Sequence, residues 1–120
     1  MTCDEISKMS NEELQKALAE ALGWREVPSP GGPWWASPGD YAASLPNWPT
    51  DPAASAELRR ALWKRCAIIV LKQYVATVVV DLVLAGQRRV VRVPIATDPV
   101  AAECRALAEA ALMVLTEAKP

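Results

Sequence analysis

Cysteines and aspartates are the first residues to consider for covalent or acid–base chemistry in this sequence. Histidine, the commonest general base near neutral pH and the commonest metal ligand, is absent. The three cysteines, Cys3, Cys66 and Cys104, are odd in number and widely spaced, which matches neither a disulfide scaffold nor a zinc site. A cysteine without histidine also lacks its usual activating base. We therefore predict that Cys66 and Cys104 are small buried side chains, and that the chain holds no metal or cofactor.

Two aspartates precede prolines and are predicted to cap helices. Asp51 and Asp98 stand in the similar segments Thr-Asp-Pro-Ala-Ala and Thr-Asp-Pro-Val-Ala, and an aspartate before proline accepts from the first free N–H groups of a helix. Asp81 instead interrupts an apolar strand. We expect it to pair with Arg89 or Arg92 across a hairpin.

Catalytic and phosphate-binding motifs are not evident. Asp40 could pair with another carboxylate for acid–base catalysis, but nothing in the sequence brings the two together. The segment Pro-Gly-Gly-Pro at 30–33 has neither the lysine nor the following helix of a phosphate-binding loop. We predict that the protein is not an enzyme.

Tryptophan is the aromatic residue that stands out, with five copies and no phenylalanine. Trp34 and Trp35 are adjacent in a loop and cannot both face inward, and Trp63 lies off the apolar stripe of its helix. Because tryptophan is enriched at binding hot spots, we predict that Trp34, Trp35, Trp48 and Trp63 contact a partner. The alternative is that the loop folds over the sheet and buries these rings as a lid on the core.

Arginines could form a basic face. Arg59 and Arg60 lie on a predicted helix, and Arg88, Arg89 and Arg92 lie on a predicted hairpin. Together with stacking tryptophans, such a face would suit nucleic acid. The net charge of −1 gives no bulk attraction to nucleic acid or to an anionic membrane, so this function is the less favoured one.

Three helices are predicted from caps and apolar periodicity. The first covers Asn11–Leu22, with Ser10 and Glu13 as a capping box and Gly23 as the left-handed exit. The second runs from Pro52 to about residue 65, and the last runs from Pro99 to about residue 117.

Strands are predicted between the second and last helices. Apolar or alternating runs occupy residues 67–71, 75–84 and 89–93, with a turn at 85–87. Residues 27–49 are so rich in proline, glycine and tryptophan that we predict no regular element of useful length there. The order of elements predicts an α+β fold, a small α/β/α sandwich with an antiparallel sheet of about three strands packed with about three helices.

Composition fits one domain across residues 1–120. The chain is 52% hydrophobic, which is typical of a globular protein. No secretory signal is apparent, and no apolar run reaches the roughly 20 residues that span a bilayer. We therefore expect a cytoplasmic protein that does not engage a membrane.

Three motifs in order resemble the phage ABA-sandwich domain family. They are LGW at 22–24, LPNWPTDPAA at 45–54 and ATDPVAAECRAL at 96–107. In that family a GW follows the first helix, and Thr-Asp and Ala-Thr steps open the second and last helices. The sequence departs from the pattern at Trp48 and Pro49, where the family tends to have Tyr-Ser. The resemblance implies an α/β/α sandwich from a bacteriophage or prophage, and it carries no catalytic residues.

The function expected from these features is non-enzymatic binding. We expect a phage or prophage protein that engages a host protein in the bacterial cytoplasm, in the manner of an inhibitor of host defence such as an anti-CRISPR. The alternatives are a virion or assembly accessory that associates with itself, for example as a homodimer, and a nucleic-acid-binding module.

Overall fold

The computed structural model describes residues 3–28, 30, 34–38, 42–43, 45–65, 68–84 and 86–117. Among these residues are four helices, α1 (Cys3–Ser7), α2 (Asn11–Ala21), α3 (Pro52–Trp63) and α4 (Pro99–Glu117). They also include six strands, β1 (Arg25–Val27), β2 (Trp34–Ala36), β3 (Ala42–Ala43), β4 (Ile68–Gln73), β5 (Thr77–Leu84) and β6 (Gln87–Pro94).

The predicted boundary of α2 is confirmed by its capping geometry. The backbone N–H of Glu13 donates to Ser10 Oγ at 3.1 Å, and the backbone N–H of Ser10 donates to Glu13 Oε1 at 3.3 Å. This reciprocal pair satisfies two N–H groups that the helix leaves free. Gly23 follows the helix at φ +93°, a conformation that a side chain would strain.

Both Asp-Pro steps begin helices as predicted. Asp51 Oδ1 accepts from the backbone N–H of Ala53 at 3.1 Å, and Asp98 Oδ1 accepts from that of Val100 at 3.0 Å. The following prolines, Pro52 and Pro99, occupy first-turn positions where no N–H is needed.

The larger sheet is antiparallel in the order β4-β5-β6, as predicted. The two faces of its central strand differ. Val78, Val80 and Leu82 are fully buried on the face toward α4, and the residues between them are half-buried. This alternation is typical of an antiparallel sheet packed on one side.

Helix α4 lies at the centre of the fold. It packs on β5 and β6, while α1, α2 and α3 pack on α4. Ten consecutive residues, 106–115, are buried, because a helix enclosed on all sides needs no polar face. The α+β class is therefore confirmed. The layer order in the described chain is sheet, α4 and outer helices, rather than one helical layer on each face of the sheet.

Short strands lie in residues 27–49, where the sequence predicted no regular element of useful length. Strands β1, β2 and β3 form a second antiparallel sheet, with Val27 opposite Trp34 and Trp35 opposite Ala43. Among the described residues, Pro28 follows β1 and Pro38 lies beyond β2, so neither proline removes a donor from the ladder. The sequence did not identify these strands because two or three paired residues are too few to show a period.

Helix α1 was also not predicted. It has five residues, and its contribution to the core is Ile6, which is 1% exposed. No helix of the described chain is long and apolar enough to cross a membrane.

Candidate functional site

Trp48 belongs to the core, which corrects its assignment as a partner contact. It is 3% exposed, and its ring meets that of Trp24 edge to face, with centroids 6.3 Å apart and an angle of 82° between planes. Trp35 is half-buried and packs against the same core. Trp48 and Trp35 therefore agree with the alternative prediction, in which the segment at 27–49 buries its tryptophan rings against the core.

The other two tryptophans lie elsewhere. Trp63 is the last residue of α3 and is 64% exposed, so it is accessible to a partner. Trp34 begins β2 and pairs with Val27, and its side chain lies outside the described part of the structure. The tryptophans therefore do not form a common exposed surface among the described residues.

The five arginines do not form one basic face, which corrects the second site prediction. Arg59 and Arg60 are exposed on α3. Arg88 and Arg92 lie on one face of β6, and Arg89 lies on the other. The reason is the two-residue period of a strand, which sends neighbouring side chains to opposite faces.

The structure instead leaves one face of the β4-β5-β6 sheet open, namely the face that is turned away from α4. Its cross-strand rows alternate in chemistry. Val79 stands between Lys72 and Arg92, and in the next row Asp81 stands between two valines. We define the open face by the residues that line its shallow depression of about 360 Å³: Lys72, Tyr74, Thr77, Val79, Asp81, Arg88, Val90 and Arg92.

A charge pair lies on this open face. Arg88 Nε donates to Asp81 Oδ1 at 3.0 Å and to Oδ2 at 3.1 Å, and a second guanidinium nitrogen also contacts Oδ2. These hydrogen bonds from Arg88 lower the pKa of Asp81, with smaller contributions from the charges of Lys72 and Arg92. Asp81 therefore stays ionised well into the acid range.

The partner of Asp81 is Arg88 rather than Arg89 or Arg92. Asp81 stands directly opposite Val90, so the residues of β6 on its own face are Arg88 and Arg92, diagonally on either side. Arg89 is excluded because it points to the opposite face. The sequence identified the hairpin, and of the two diagonal arginines it is Arg88 that bonds to Asp81.

Catalytic groups do not converge among the described side chains. Cys104 is 2% exposed, and burial raises the pKa of its thiol, which disfavours the thiolate needed for attack. This confirms its predicted place in the core. Cys66 and Asp40 lie outside the described residues, and so does the side chain of Cys3.

The described residues also contain no group of three or more Cys, Asp or Glu side chains that could hold a metal ion. The open face can thus bind through apolar contact and charge, but its described residues offer no nucleophile with a base.

Several residues of the open face were not predicted as site residues, among them Lys72, Tyr74, Val79 and Val90. The sequence contained a weak signal for these residues, the spacing of two positions along a strand. Lys72 and Tyr74 are two residues apart, as are Val79 and Asp81, which places each pair on one face of a strand. The continuous apolar run around Val79 concealed which face would be left uncovered.

Comparisons with protein-family models, with curated proteins and with solved structures each found no match to this chain.

Proposed function

We propose that this protein is a non-enzymatic binding protein that engages a protein partner through the open face. The observation that carries the proposal is the mixture of half-buried valines and exposed cations on the face of the β4-β5-β6 sheet that is turned away from α4. Val70, in the same row as Asp81 and Val90, is 39% exposed, and Tyr74 is 54% exposed. Apolar contact area beside charged groups is typical of protein interfaces.

The charge of the open face favours a partner with an acidic surface. Three cationic side chains share the face with one carboxylate, and Arg88 is already paired with that carboxylate. Lys72 and Arg92 remain to meet acidic groups of the partner. Complementary charge of this kind contributes to specificity and to the rate of association.

A protein partner fits this face better than nucleic acid does. Tyr74 is the one aromatic side chain in the lining, whereas single-stranded nucleic acid is usually held by several stacked rings. The overall charge of −1 points the same way.

The source and the partner's identity are part of this proposal. The resemblance to the phage ABA-sandwich family supports a phage or prophage origin, and a partner in the bacterial host cytoplasm follows from that origin. Inhibition of a host-defence protein is the sharpest form of the hypothesis. The resemblance rests on the helix-opening motifs described above.

The test is a charge reversal on the open face with a matched control on α3. Arg92→Glu reverses an exposed cation of the face, and Arg59→Glu reverses an exposed cation on α3. Each tagged variant is used for quantitative capture from host lysate, and the captured protein is then purified and titrated directly. We expect Arg92→Glu to weaken binding at least about tenfold, and Arg59→Glu to change it less than about twofold.

Three results would contradict the proposal. Equal effects of the two reversals would show that the open face is not the interface. Loss of binding only in Arg59→Glu would move the interface to α3. Capture of nucleic acid alone, with an affinity that falls steeply as salt rises, would favour the nucleic-acid alternative.

A further inference from the structure

Strand β6 lies at an edge of its sheet. The backbone hydrogen bonds at the ends of the hairpins show which of its residues direct their N–H and C=O groups away from the sheet. Tyr74 N donates to Thr77 O at 2.8 Å, and Ile95 N donates to Ala76 O at 2.9 Å. Because paired and unpaired positions alternate along an antiparallel ladder, the odd-numbered residues of β6 bond to β5. The even-numbered residues direct their N–H and C=O groups away from the sheet.

The outward residues of β6 are Arg88, Val90, Arg92 and Pro94. Pro94 agrees with this assignment, since proline is tolerated in a strand where its missing N–H would face outward. Within the described part of the chain, no backbone group pairs with the outward N–H or C=O of Val90 or Arg92. This edge therefore offers main-chain donors and acceptors to an added strand.

A groove of about 270 Å³ runs beside this edge, between β6 and the helices α1 and α4. Three consecutive residues of β6, from Val90 to Arg92, line it. Since successive side chains point to opposite faces, three consecutive residues can share a wall only if that wall is the edge of the strand. The other lining residues are Asp4, Ile6 and Ser7 of α1, and Glu109 and Met113 of α4.

The charges on β6 indicate which kind of strand could add to its free edge, a second copy of β6 or an acidic segment. If β6 paired with β6 of a second copy in antiparallel register, centring the pair at Val90 would place Arg88 opposite Arg92. Like charges directly opposite each other are destabilising, whereas opposite charges stabilise a cross-strand pair. The edge is thus suited to an acidic strand rather than to its own copy.

We propose that an extended acidic segment of the protein partner adds to β6 as a fourth antiparallel strand. Its alternate acidic side chains lie on the open face beside Arg92 and Arg88. The side chains between them are apolar, because they turn toward Ile6 and Met113 and because Asp4 and Glu109 would repel further carboxylates. This inference rests on the proposed function, since it names the way in which the partner's chain engages the border of the open face.

The probe is the blocked heptapeptide GDVEVDG, which carries acidic and apolar residues in alternation, compared with GKVKVKG. The decisive variant is Val90→Pro, which removes one outward N–H and leaves the bonds to β5 in place. Val90→Ala keeps that N–H and trims the same side chain. Gln73→Pro makes the equivalent change on the other edge of the sheet, where Gln73 is exposed and also points its N–H outward.

We expect the acidic peptide to bind the wild-type protein and the basic peptide not to bind. Val90→Pro should weaken binding at least about tenfold more than Val90→Ala does, because both lose the valine side chain and Val90→Pro also loses the N–H. Gln73→Pro should change binding less than about threefold. Amide hydrogen exchange gives a second readout on the unaltered chain. The amides of Val90 and Arg92 should become protected when the acidic peptide is added.

The outcomes separate this inference from the proposed function. Equal weakening by Val90→Pro and Val90→Ala, with no new amide protection, would overturn strand addition and leave the open face as a side-chain interface. Strand addition would also be overturned if the acidic peptide failed to bind while Arg92→Glu still weakened binding of the captured partner. Should Val90→Pro fail to fold, unchanged exchange at Val90 and Arg92 in the wild-type protein would overturn the inference. If Arg92→Glu also leaves partner binding unchanged, the proposed function fails as well.

Discussion

Arg105 joins three parts of the chain through one guanidinium group. Its Nε donates to Glu109 Oε2 at 2.8 Å, and one terminal nitrogen donates to Asn11 Oδ1 at 2.8 Å. The other terminal nitrogen donates to the carbonyl oxygens of Met9 at 2.6 Å and Ile6 at 3.3 Å. The carbonyls at the end of a short helix have no partner within it, so Arg105 attaches α1 to α4 by satisfying them.

Glu109 should make stability depend on pH. Burial raises the pKa of Glu109, and the hydrogen bond from Arg105 opposes the rise. The folded state therefore holds this proton more tightly than the unfolded state does. The resulting contribution to the free energy of unfolding is complete below the usual pKa of 4.5 and is lost as pH rises through the raised folded value.

Urea unfolding of the wild type and Glu109→Gln, from about pH 4 to about pH 7, measures this effect. The stability of the wild type relative to the variant should fall as pH increases across that interval. Parallel stability curves would show that Glu109 titrates alike in the folded and unfolded states.

Trp48 and Trp63 should differ sharply in their contribution to stability. Trp48 is 3% exposed and Trp63 is 64% exposed. Trp48→Ala leaves a cavity against Trp24 and should lower the free energy of unfolding by about 3–5 kcal/mol. Trp63→Ala should change it by less than about 0.5 kcal/mol. Chemical unfolding followed by circular dichroism measures both, and similar losses would contradict the assignment of Trp48 to the core.

At the scale of elements, strand β5 carries two environments that its apolar sequence does not distinguish. Val80 is fully buried on the side of α4, and its neighbour Val79 is half-buried on the open face. The same side chain therefore contributes to the core at one position and to the proposed interface at the next. The pleat produces this division, and α4 decides which side becomes the core.

Replacing these valines by threonine tests the division with nearly equal side-chain volumes. Val80→Thr buries a hydroxyl in an apolar layer and should cost about 1–3 kcal/mol of unfolding free energy. Val79→Thr can hydrate its hydroxyl and should cost less than about 0.5 kcal/mol. Thermal and urea unfolding provide the comparison. A larger loss for Val79→Thr would indicate that the open face is covered in the folded protein.

At the scale of the whole molecule, α4 packs on one face of the β4-β5-β6 sheet, and no described helix covers the other face. The outer helices pack on α4 rather than on the strands. As a result, apolar groups of the open face are available to another molecule, and the arginines of β6 disfavour a second copy at that edge. These features are the basis on which we propose that a different chain binds here.

We therefore expect a monomer in solution. Light scattering should give a mass near 13.0 kDa across the accessible concentration range. A stable mass twice as large would favour the self-association alternative. Repeating the measurement with Arg92→Glu would then show whether the dimer contact includes the open face.

Local sequence determined the helix boundaries and the three long strands. Ser10 and Glu13 form their predicted box, Asp51 and Asp98 cap where expected, and α4 begins at Pro99, because these features depend on residues only a few positions apart. Strands β4, β5 and β6 follow from runs of β-branched residues. The shortest elements escaped prediction because α1 and β1–β3 have too few residues to display a period.

Tertiary structure alone decided what each side chain meets. Trp48 became a core residue because Trp24 packs against it. The register between β5 and β6 placed Arg89 on the face away from Asp81, and Arg88 makes the hydrogen bonds to that carboxylate. The open face exists because α4 covers only the other side of the sheet. Such outcomes depend on contacts between residues far apart in the chain, and periodicity along the sequence carries no information about which neighbour will cover a given face.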